Sequence, residues 1–222
     1  MKKTALLVSF MLLCFIHLNA QKKSDFQGVI TFSLSFENSG LPPEALAMFQ
    51  NSEAVTYIKG DKARMDMNMS IQSSSFIIDN TNKTMVTLMD IMGQKFLIRM
   101  NQEEVKKEQE KSPEISIKYT DETKEIAGYT CKKAEVTTNG SKVNVYYTDE
   151  IPAIDTKAIY KGLKGFPMEY SVKQGGIEIK FVVTHVAKEN VANDKFEIPK
   201  EGYTETTIEG LQKSLMQQGA TH

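Results

Sequence analysis

The sequence predicts a mainly β protein: a strongly curved antiparallel sheet or half-open barrel with two or three short covering helices. Two observations predict it. Large apolar residues alternate with small or polar ones at a period of two along most of the chain, and turn residues recur at short spacing. About ten strands of this kind share one apolar sheet face, which must be buried by curling or under helices.

Lys2 and Lys3 precede an apolar run from Ala5 to Ile16, and Ala20 supplies a small residue before Gln21. This is the pattern of a secretory signal peptide over residues 1–20, with an apolar core shorter than the ~20 residues that span a bilayer. The expected location is therefore periplasmic or secreted after cleavage. Removing Lys2 and Lys3 leaves 25 basic residues against 28 acidic ones, a balance with no electrostatic footprint for nucleic acid. Cys14 leaves with the leader, so Cys131 has no intrachain disulfide partner and reads as a small buried hydrophobe. Residues 21–205 suit a single β-rich domain, and residues 206–222 a C-terminal helix or flexible tail.

The first strand is Val29 to Phe36, with Ile30, Phe32, Leu34 and Phe36 on one face. Ser39 to Gln50, with prolines at 42 and 43, reads as a short helix covering that face. Glu53 to Lys59, a Gly60-Asp61 turn and Arg64 to Ile71 make a hairpin whose second strand sets Met65, Met67, Met69 and Ile71 on one face. Ser74 to Asp79 and Thr84 to Met89 make a second hairpin, and Lys95 to Met100 adds a neighbour. Met85, Met89, Met92 and Met100 extend the methionine theme. Asn101 to Ser112 is nearly all Glu, Lys and Gln, a solvated helix or mobile loop.

Ile115, Ile117 and Tyr119 alternate in the next strand. Thr130 to Thr138 and Ser141 to Thr148 flank Asn139-Gly140, the dipeptide most typical of a tight hairpin. Ala153 to Tyr160 suits one or two helical turns. Met168 to Lys173 turns through Gly175-Gly176 into Ile177 to Ala187, where His185 is expected on the apolar face of Ile177, Ile179, Phe181 and Val183. Ile208, Leu211 and Leu215 have helical spacing near the C-terminus.

Catalytic signatures are sparse. His185 is the single internal histidine of the mature chain, and Cys131 would need it as a base. No nucleophile elbow, zinc-binding HExxH or phosphate-binding loop occurs, and Gly175-Gly176 lacks the following Lys-Ser or Lys-Thr. Adjacent acidic pairs such as Asp121-Glu122 point to opposite faces of a strand. These observations predict no catalytic residue, no metal site, no cofactor and a non-enzymatic protein.

Phe26-Gln27-Gly28-Val29-Ile30, Ile58 to Met65, Ile126-Ala127-Gly128-Tyr129-Thr130-Cys131-Lys132-Lys133-Ala134, Val143 to Thr148 and Gly165-Phe166-Pro167-Met168 resemble exported proteins of a domain-of-unknown-function family related to the LolA/LolB-like lipoprotein carriers. The resemblance implies a LolA-like half-open barrel whose concave face accommodates acyl chains, and it transfers no individual liganding residue. Methionine is unbranched and polarizable, so a methionine face adapts to varied apolar partners. The expected function is capture of a lipid or acyl-chain ligand by Phe32, Leu34, Phe36, Met65, Met67, Met69, Met85, Met89 and Phe181, at about 0.8 kcal/mol for each buried CH₂. The alternative is a structural or envelope-assembly module, its core filled by its own residues and its surface meeting another envelope protein.

Overall fold

Alternation becomes strand pairing from Gln27 onward. A computed structural model describes residues 26–37, 44, 49, 52–69, 72–111, 114–138, 140–153, 162–174 and 177–219. The leader, most of the expected helix over residues 39–50 and the expected turns over residues 153–160 lie outside the described residues.

In chain order the strands are β1 (Gln27–Glu37), β2 (Glu53–Lys59), β3 (Lys62–Met69), β4 (Gln72–Asp79), β5 (Thr84–Ile91) and β6 (Gln94–Met100). Helix α1 (Gln102–Lys111) separates these from β7 (Ile115–Ile126), β8 (Tyr129–Thr138), β9 (Ser141–Thr148), β10 (Phe166–Gln174) and β11 (Ile177–Ala187). A 3-10 turn (Asn193–Phe196), β12 (Thr204–Thr206) and helix α2 (Ile208–Gly219) follow. All twelve strands form one open sheet, in the order β12-β6-β5-β4-β3-β2-β1-β11-β10-β9-β8-β7. Pairing is antiparallel except at one edge, where Thr204, Glu205 and Thr206 of β12 run parallel to Phe96, Leu97 and Ile98 of β6. The sheet is thus mixed, not purely antiparallel as the sequence predicted.

The parallel pair follows from the path of the chain after β11. Lys59 donates to the Val191 carbonyl (2.7 Å), and Arg64 to that of Lys195 (3.0 Å), whose ammonium lies 4.9 Å from the centre of the Tyr57 ring. Ile198 and Tyr203 then pack on Ile77, Val86, Leu88 and Leu97 of β4, β5 and β6. Residues 188–203 therefore form a strap across one face of the sheet and deliver β12 to its edge. Leu211 and Ile208 of α2 close on the opposite face against Phe96, Ile98 and Met100.

Helix α1 resolves the choice between helix and loop at residues 101–112. The Asn101 side chain accepts from the backbone N–H groups of Glu103 and Glu104, and Glu104 accepts in return from the Asn101 N–H (2.9 Å). This reciprocal cap satisfies orphan donors of the first turn, and Val105 tethers the helix to the cluster around Phe96.

His185 departs from its expected face. Phe32 pairs with Val183 and Thr31 with His185, so Thr184 is an extra residue on β11. A bulge of this kind reverses which side the following residues face. His185 is exposed, and Val186, paired with Ile30, packs on the core in its place.

Candidate functional site: a methionine-lined hollow

The largest core cluster joins Ile30 and Phe32 of β1, Ala54 and Ile58 of β2, and buried residues of β8 to β11. Phe32 sits at its centre, 6.1 Å from the Phe166 ring and edge-on to Tyr170 and Phe181, which stack on each other at 4.8 Å. Beside this packed region the described residues leave a hollow on the same sheet face. It measures about 460 Å³ and is bounded by β1 to β5 on one side and β10 and β11 on the other. On a flat sheet β5 and β10, six strands apart, would stand about 29 Å from each other. That both bound one hollow means the sheet bends around it.

Strand register places the lining. Met65 pairs with Thr56 on β2 and Phe76 on β4; Met67 pairs with Ala54 and Ser74; Ser74 in turn pairs with Met89, and Ile78 with Met85. Paired residues share a face, so these side chains meet in one surface. Phe36 stacks on Phe49 at 4.7 Å at the rim. Of the nine residues singled out in the sequence, Phe32, Phe36, Met65, Met67, Met69, Met85, Met89 and Phe181 line the hollow. Leu34 does not: it packs half-buried against the core cluster. Sequence reasoning missed Thr56, Gln72, Ser74, Phe76, Tyr170, Val172, Ile177 and Ile179. Gln72, Ser74, Phe76 and Ile78 do alternate, but Ser73, Ser74 and Ser75 in succession disguise which parity faces inward.

Polar groups are few in this lining, which has no charged side chain among the described residues. Thr56 and Ser74 are buried, and the Ser74 hydroxyl has no hydrogen-bond partner among the described residues.

A second assembly lies on the opposite face. Between Tyr119 and Thr123 the β7–β8 ladder slips, with three residues of β7 spanning one of β8. This bulge carries Glu122 to Lys133 (2.7 Å) and to the Tyr146 hydroxyl, which donates to it. It also carries Lys124 to Glu169, a buried carboxylate that Lys180 approaches at 3.2 Å. Burial works to raise the Glu169 carboxyl, but the hydrogen bonds from Lys124 and Lys180 outweigh it and hold the group below the usual glutamate range. Hydrogen bonds from Lys133 and Tyr146 lower Glu122 likewise, and the contact with Glu122 pushes the Tyr146 hydroxyl up. Both carboxylates stay ionised and occupied by neighbours.

Cys131 and His185 do not form a catalytic pair. Cys131 is fully buried, donates to the Tyr129 carbonyl at 3.4 Å, and burial pushes its thiol up to about 11, away from the thiolate a nucleophile needs. Among the described residues no group of three or more His, Cys, Asp or Glu is placed to hold a metal ion.

The family model described as N-glycanase peptide, N-terminal domain, matches residues 30–159, more than half of the chain. Two solved structures of PNGF-II, in space groups P21 and C2, share the fold with a TM-score of 0.55. Each is 18% identical and overlaps 86% of this chain, but this chain spans only 33% of theirs. No curated protein matches. These findings overturn the resemblance to unknown-function proteins and LolA/LolB-like carriers, and with it the lipid or acyl-chain ligand. They also overturn the expectation of a non-enzymatic protein, because the matching family is one of N-glycanases, and they give the envelope-assembly alternative no better footing. Five methionines line the hollow, but thioethers adapt to many apolar partners alike, so their presence does not single out a lipid. By the match over residues 30–159, this chain belongs to the N-glycanase N-terminal domain family.

Proposed function

We propose that this chain acts in the release of N-linked glycans from glycoproteins, and that its part in the reaction is to engage the glycoprotein. The observation that carries the reading is the family match over residues 30–159. The bent sheet supports it, since its hollow is a preformed recess of the size that ligand sites have, about 300–1,000 Å³. Export fits the same reading. Residues 1–20 have the composition of a cleavable leader, and no helix among the described residues is long and apolar enough to cross a membrane. Glycoproteins are then met outside the cytoplasm.

The test uses reduced, alkylated ribonuclease B offered to the purified chain at equal concentration, in solution and on an affinity surface. Release of the glycan, seen by mass as loss of the sugar and conversion of Asn to Asp, or retention of the glycoprotein on the surface, is the expected result. A glycoprotein that passes unretained with its glycan intact overturns the reading.

A further inference from the structure

A glycoprotein offers two chemically different parts, and the hollow discriminates between them. A sugar ring carries a hydroxyl on most of its carbons, and each one buried without a partner is unfavourable. The polar residues of the lining are Thr56, Gln72, Ser74 and Tyr170, in a surface otherwise apolar and without charge among the described residues. A glycan would leave most of its hydroxyls unpaired there. Apolar side chains of a polypeptide would not, and they bury well against thioethers and aromatic rings.

Ser74 sharpens the choice. It is 5% exposed, its hydroxyl has no partner among the described residues, and it sits on β4 between Met67 of β3 and Met89 of β5. A buried hydroxyl left unpaired in a native fold calls for an explanation, and a missing ligand atom is one. A peptide backbone presents an N–H or C=O at every residue, so a segment whose side chains fill the hollow brings a partner to Ser74 whatever its sequence. The methionines fit this tolerance, because unbranched side chains repack around partners of varied shape, as a domain serving many glycoproteins requires.

We infer that the hollow binds apolar side chains of the polypeptide part of glycoprotein substrates, and that the Ser74 hydroxyl hydrogen-bonds the backbone of that segment. The inference rests on the N-glycan reading and assigns the hollow to the peptide, not the sugar.

The experiment measures fluorescence anisotropy of a fluorescein-labelled, neutral twelve-residue peptide in which Leu and Phe flank an unglycosylated Asn, with a Gly/Ser peptide of equal length as control. The Leu/Phe peptide is expected to bind and the control not to. Ser74→Ala is expected to weaken binding about fivefold, the worth of one hydrogen bond, while its thermal midpoint rises because a buried unpaired group is gone. Met67→Glu puts a charge into the apolar lining beside Ser74 and is expected to weaken binding of the neutral apolar peptide more than tenfold with the fold retained by circular dichroism. No peptide binding, equal binding by all variants, equal binding of the control, or a dodecanoate adduct in native mass spectrometry without peptide binding overturns the inference. Ribonuclease B retention that ignores these substitutions removes the inference and leaves the N-glycan reading standing. Hollow-dependent peptide binding without glycoprotein retention or glycan release removes that reading instead.

Discussion

Glu169 shows how a single carboxylate can be stable where burial alone would neutralise it. It lies 8% exposed on the face away from the hollow, and Lys124 and Lys180 supply the charge that water would have supplied. Its folded-state carboxyl titrates below the ordinary value of 4.5. The stabilisation is therefore present above pH 4.5 and is lost as pH falls through the lowered value. Glu169→Gln keeps the shape and removes the charge, leaving two ammonium groups without their shared partner. It is expected to cost about 1–3 kcal/mol at pH 7, toward the lower figure because Lys124 is half exposed. Urea denaturation of parent and variant at pH 7 and pH 3 checks this. The gap should narrow in acid, and an equal gap at both pH values would remove the ion triad as its cause.

At the scale of elements, the chain was readable wherever a pattern repeats and unreadable wherever one or two residues break it. The hairpins β2–β3, β4–β5 and β8–β9 followed from alternation and turn residues, and the cap of α1 is written in Asn101 and Glu104. The bulge at Thr184 was not readable, because both His185 and Val186 continue a plausible strand and only pairing with β1 decides between them. The β7–β8 turn escaped for another reason. Ala127 and Gly128 both take positive φ, 50° and 81°, as a tight two-residue hairpin demands, yet alanine is a poor choice for that conformation. Asparagine tolerates it by bonding locally. Ala127 is exposed, so Ala127→Asn meets no packing penalty and should stabilise the protein by about 0.5–1 kcal/mol. A higher thermal midpoint is the expected result, and an unchanged or lower one would show that the turn is not under strain.

Across the whole molecule, period-two patterning conveys one apolar face and the need to curl over it, but not that β5 comes to stand opposite β10. Which strands the bend brings together depends on twist and bulges summed over strands distant in sequence, so a curved sheet with one concave apolar face was legible from the need to cover that face, but the opposition of β5 and β10 was not. Openness leaves a second consequence, because an unclosed sheet has two edges, β12 and β7. β12 is three residues long and followed at once by α2, which leaves little template for another chain. β7 is twelve residues long and is guarded differently, by its bulge and by Lys118, Asp121, Glu122, Lys124 and Glu125. Ser116 and Lys118 are exposed on the face opposite Ile115, Ile117 and Tyr119. Replacing them as Ser116→Val with Lys118→Val would make that stretch of edge apolar on both faces. Little stability is at risk, since the Lys118–Glu135 pair is exposed and 3.8 Å apart. The double variant should keep the parent's circular dichroism and associate through β7, sedimenting faster as its concentration rises. Identical sedimentation of variant and parent over the same concentrations would show that Ser116 and Lys118 do not guard this edge.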